Sequence, residues 1–95
     1  MGVAFPERKM FQILRSSRQH GIVYLVSGRI DEGAVSELRR LFDLDLASNR
    51  LILDLKGVRL VQAEAVEFLA RCEDAGIEIR NCPGYVREWI GSNRR

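Results

Sequence analysis

The side chains able to do chemistry in this chain are few and widely spaced. The single histidine, His20, stands in the polar stretch 16–21 (SSRQHG). The two cysteines, Cys72 and Cys82, are far from it in sequence and form no C-x-x-C pattern. A hydrolytic or metal site needs a nucleophile held by a base, or several His, Cys or carboxylate ligands brought together. This spacing supplies neither, so the expectation is no enzyme, no metal and no cofactor. Both thiols read as small apolar core groups, with a reactive or paired cysteine as the alternative. No glycine-rich phosphate loop is present; the eight glycines fall where elements end.

Two further features remain. Asp54 is the one charge inside the apolar run LILDL. In parallel sheets, ligands collect beyond the carboxyl ends of the strands. Asp54 therefore reads either as a partner contact, grouped with Lys56, Gly57 and the start of the following helix, or as a carboxylate capping loop N–H groups near Lys56 and Gly57. Tyr85 and Trp89, four apart, read either as packing for a last helix or as an exposed aromatic docking surface.

The chain has 95 residues, one domain's worth. It is 46% hydrophobic and 29% charged, a globular composition. Fifteen basic and thirteen acidic residues leave a net charge of +2, which gives no reason to expect a nucleic-acid partner. The apolar runs are too short for membrane insertion, and the N-terminus does not read as a signal peptide. The cytoplasm is the expected compartment. The expected organisation is a tail over 1–8, one domain over 9–91, and a tail over 92–95.

These residues need elements to position them. Met10, Phe11, Ile13 and Leu14 predict a first strand, and residues 16–21 a turn. IVYLVS, rich in β-branched and aromatic residues, predicts a second strand ended by Gly28, antiparallel to the first. Asp31 is the expected N-cap of a helix whose buried stripe is Ala34, Val35, Leu38, Leu41 and Phe42. After a turn at Ser48 and Asn49, LILDL reads as a central parallel strand. Gly57 is expected to bend the chain, with Val58, Leu60 and Val61 crossing the sheet's end. A second helix over 63–75 turns Ala65, Phe68, Leu69 and Cys72 inward and Glu64, Glu67, Arg71 and Asp74 outward, ending at Gly76. Ile77 and Ile79 predict a half-buried strand. Pro83 opens a third helix, which Gly91 stops. The expected fold is α/β, in the order β-β-α-β-α-β-α, with a mostly parallel sheet, an antiparallel N-terminal hairpin, and helices covering the sheet.

In VYLVSGRID, SELRRL, LILDLKGVRLV, GIEIRNC and PGYVREWI, spread over about 22–90, the chain resembles a STAS domain, the family of anti-sigma-factor antagonists and related transporter tails. The resemblance implies a protein-interaction module. In that family an Asp-Ser-x-Gly motif opens the second helix, and a partner kinase phosphorylates its serine, which breaks the complex. Here Gln62 stands at the aspartate, Ala63 at the serine and Ala65 at the glycine. Ala63 has no hydroxyl, so this position cannot be phosphorylated. Glu64 is either an ordinary first-turn carboxylate favouring the helix dipole or a fixed negative charge imitating the phosphorylated form. By this resemblance the partner is an anti-sigma factor that is also a serine kinase, or a subunit of a transport ATPase. Nucleotide binding, reported for some members, is a further alternative, and a homodimer is compatible with the sequence. The expected contact residues are Asp54, Lys56, Gly57, Gln62, Ala63, Glu64 and Glu67.

Overall fold

A computed structural model of the chain describes residues 10–45 and 50–93. The expected turn at Ser48 and Asn49 and the tail over 1–8 lie outside the described residues. The element order is β1 (Phe11–Arg18), β2 (Gly21–Ile30), α1 (Glu32–Asp45), β3 (Leu51–Val61), α2 (Ala63–Asp74), β4 (Glu78–Arg80) and α3 (Gly84–Asn93). The four strands form one sheet in the order β1-β2-β3-β4. β1 and β2 are antiparallel; β2, β3 and β4 are parallel. The fold is the expected mixed α/β arrangement.

Strand alternation decides which side of the sheet carries the core. Ile22, Tyr24 and Val26 of β2, and Leu51, Leu53 and Leu55 of β3, are buried in one cluster with residues from all three helices. The opposite parity lies outside that cluster. There Leu14 is 52% and Leu25 36% exposed, while Val23 and Asp54 are half-buried. Ile52 is buried on this second side. The helices therefore pack on a single face, as a two-layer sandwich.

Several element ends differ from expectation. β1 continues through Ser16, Ser17 and Arg18, so the hairpin turn is only Gln19 and His20. These polar residues suit an edge strand, where side chains meet water on one side. Gly28 does not end β2; it lies within the strand at φ 87°. Gly57 does not end β3 either. β3 pairs with β2 as far as Val61, absorbing two irregularities in register on the way. α3 runs through Gly91 to Asn93, so residues 92 and 93 are helical rather than part of a tail.

Other local expectations are met. Asp31 Oδ1 accepts a hydrogen bond from the Ala34 N–H at 3.0 Å, the predicted N-cap of α1. At the end of α2, the Gly76 N–H donates to Glu73 O and the Ile77 N–H to Cys72 O, with Gly76 at φ 93°. This pair of bonds is a Schellman motif, which satisfies carbonyls the helix leaves free. The α2 stripe Ala65, Phe68, Leu69 and Cys72 is buried and is widened by Val66 and Ala70, while Glu64, Glu67, Arg71 and Asp74 face outward.

Candidate docking site

The corner where β3 hands the chain to α2 is built from backbone bonds. The Gln62 N–H donates to Ile30 O, fixing the end of β3 beside the end of β2. Gln62 then takes an extended conformation as N-cap of α2, with no side-chain cap. Ala63 and Glu64 follow as exposed first-turn residues, and Ala65 turns inward. Gln62, Ala63 and Ala65 thus fall at a helix N-terminus, as expected. Free N–H groups and a positive dipole end there favour a negative charge, which Glu64 supplies.

Two depressions flank this turn. On the α1 side, Glu64 and Ala65 share a groove of about 290 Å³ with Glu32, Val35, Ser36 and Arg39. On the α3 side, Ala63 and Val66 line a notch of about 260 Å³ with Trp89 and Ser92. Trp89 and Tyr85 meet edge to face, with ring centroids 5.8 Å apart. They are 46% and 40% exposed; Val86 and Ile90, at 0% and 1%, are the residues that seat α3. The packing role read for the aromatic pair belongs instead to these two aliphatics. The Tyr85 hydroxyl reaches back to Arg59 O, and Leu60 beside it is also exposed. An apolar strip thus adjoins the acidic first turn of α2.

The expected contact residues divide into two groups. Gln62, Ala63, Glu64 and Glu67 gather at the first turns of α2, with Glu67 holding Arg71 at 2.6 Å. Asp54 stands elsewhere. Because β3 runs on to Val61, Asp54 is seven residues upstream, a span of up to about 23 Å of strand. Its carboxylate accepts hydrogen bonds from the Lys56 N–H and the Asn81 side-chain amide, both at 2.9 Å. Asp54 thus shapes the backbone at Lys56 and ties β3 to the segment after β4. Lys56 and Gly57 are exposed beside it.

His20 is exposed in the hairpin turn. Cys72 is buried in α2, and burial pushes its thiol up to about 12. Cys82 is half-buried, and its thiol is raised by the same cause. Neither environment yields a thiolate near neutral pH. Among the described residues, no three His, Cys, Asp or Glu side chains gather where they could hold a metal.

One polar cluster escaped the sequence reading. Arg15 of β1 donates two bonds, each 2.9 Å, to the carboxylate of Asp45 at the end of α1, and the buried Tyr24 hydroxyl donates to the same carboxylate. Arg15 and Tyr24 pair across the hairpin, so both point at α1. The Arg15 guanidinium, then the Tyr24 hydroxyl, hold Asp45 down at about 2. Burial, then the bond to Asp45, pushes Tyr24 up to about 12. This arrangement staples the edge strand to a helix and leaves no group poised for proton transfer near neutral pH.

No family model matches the chain, and no curated protein matches it significantly.

Proposed function

We propose that this chain is a non-catalytic protein-interaction module that acts in the cytoplasm like an anti-sigma-factor antagonist whose phosphorylation position has been lost. One observation carries the reading: the exposed first turn of α2 and the exposed Trp89, which Tyr85 meets edge to face, share the notch lined by Ala63, Val66, Trp89 and Ser92, while Glu64 of the same turn lines the depression on its other side. Exposed aromatics beside a small apolar recess are what protein interfaces use as anchors. The resemblance of 22–90 to STAS domains supplies the partner class, a regulatory serine kinase of the anti-sigma type. A transport ATPase subunit is the comparison partner.

The test is site-specific photocrosslinking. A benzophenone side chain at position 63 is expected to crosslink to an anti-sigma kinase, and the same group at position 14 is not, because Leu14 lies on the other side of the sheet. Trp89→Ala is expected to lower the yield at position 63 by about tenfold or more, the scale of a lost anchor. Equal yields from positions 63 and 14 would refute this placement. Crosslinking to the ATPase subunit alone would replace the partner. A second arm restores the hydroxyl: Ala63→Ser, incubated with the kinase and ATP, is expected to gain one phosphate at position 63.

A further inference from the structure

Further along α2, beyond the two depressions that flank its first turn, lies a third concavity that the docking reading does not use; Arg39 borders both it and the groove beside Glu64. α1 and α2 border a groove of about 390 Å³, within the size range of small-ligand sites. Phe42 and Phe68 form its aromatic wall, stacked at 6.2 Å with their rings 12° from parallel. Cys72, Ala75 and Ile77 line the rest of the apolar surface, and Arg39, Asp43 and Arg71 stand at the rim. Arg71 is engaged by Glu67. Arg39 is different: its guanidinium lies over the Phe68 ring, 5.5 Å from the centroid, and pairs with no carboxylate among the described residues.

We infer that this groove binds a small monocarboxylate with a flat apolar body. The stacked phenyl rings would receive the body, and Arg39 would take the carboxylate. Arginine suits that task because its planar fork meets a carboxylate with two parallel bonds. The orientation follows from charge. Phe42 and Asp43 lie in the last turn of α1, and Ala75 caps α2. These helix ends carry partial negative charge, and Asp43 adds a full one, so an anion is disfavoured there. The carboxylate therefore points toward Arg39 and Phe68, and the body runs toward Cys72 and Ile77. The buried, protonated Cys72 thiol acts as apolar lining.

Phenylbutyrate and its neutral analogue phenylbutanol are the probes. Amide chemical shifts are followed by NMR in the full chain as each is titrated. Phenylbutyrate is expected to move the amides of Phe42, Cys72, Ala75 and Ile77 with a dissociation constant on the order of 1 mM, ordinary for about a dozen heavy atoms in an open groove. Phenylbutanol is expected to bind the same amides about tenfold more weakly. Arg39→Gln, at an exposed position where the dispersed spectrum reports folding, is expected to make acid and alcohol equal. The inference is overturned if acid and alcohol bind the unaltered protein alike, or if these amides stay still up to about 20 mM acid, some twentyfold above the expected constant. It is also overturned if Arg39→Gln leaves the preference intact, or if the same shifts follow protein concentration alone, which would make the groove a contact between copies. Partner crosslinking at position 63 is scored separately and does not bear on any of these outcomes.

Discussion

At the scale of single residues, Asp45 is the side chain with most depending on it. It receives Arg15 from β1 and Tyr24 from β2, and so joins the hairpin to the end of α1. Its carboxyl titrates at about 2 in the folded chain, against an ordinary value of 3.8. A depressed carboxyl stabilises the folded state fully above its unfolded value and progressively loses that contribution as pH falls through the folded value. Thermal stability is therefore expected to decline from 3.8 down toward about 2. Asp45→Asn should be less stable at neutral pH and show a shallower decline over that window, which a series of melting curves would resolve. Tyr24→Phe removes one bond to an ionised acceptor at a buried position and is expected to cost about 1.5–3 kcal/mol. Asp31 was legible as a cap because its partner is three residues away. Asp45 was not, because Arg15 and Tyr24 lie on strands earlier in the chain, and only the sheet register turns them toward the same helix end.

At the scale of elements, β3 is where pattern and structure part. Leu51, Ile52, Leu53 and Leu55 announce a strand apolar on both faces, but Lys56, Gly57 and Arg59 break the apolar run, and the sequence reads a bend there. The strand persists because its pairing with β2 survives two irregularities, which shift residue parity without ending the ladder. Gly57 has a packing role in this. A Cβ placed on it would stand 2.6 Å from the Ser27 Cβ. Gly57→Ala is accordingly expected to destabilise the chain by about 1–3 kcal/mol, the usual cost of overpacking. Ser27→Gly in the same chain should recover part of that loss, and urea unfolding of the two single variants and the double variant measures the coupling. Independent effects that simply add would refute the contact. α2 was legible almost throughout, since its stripe, outward charges and terminal Gly76 all follow from local spacing. The first turn of α2 was legible as a candidate site for the same reason. The grouping of Asp54 with that turn rested on a short β3, and the longer strand separates them.

At the scale of the whole molecule, one helix layer on one sheet face leaves α2 between α1 and α3, with α1 along one side and α3 on the other. Its first turn faces Trp89 across the notch, and its later turns face Phe42 and Arg39 across the groove. Neither concavity could be read from the sequence, because each is made by residues from two helices whose separation is set by the sheet beneath. Tyr85 and Trp89 show the difficulty: spacing alone gives them the same right to the core as Val86 and Ile90, and only the way α3 docks decides which pair is buried. If the two ends are separate sites, their variants should separate as well. Trp89→Ala is expected to fold, since Val86 and Ile90 hold α3, and to lose partner crosslinking while keeping the response to phenylbutyrate. Arg39→Gln should lose the preference for the acid over phenylbutanol, which Trp89→Ala keeps. Melting curves give a common measure for the groove: acid at about ten times its dissociation constant adds about 1.4 kcal/mol of stability. For a domain of this size that raises the melting temperature by roughly 5–10 °C. The rise should persist in Trp89→Ala and shrink in Arg39→Gln. A rise that vanishes in Trp89→Ala would mean that the ligand sits in the notch at the start of α2, and that the two concavities have been assigned the wrong way round.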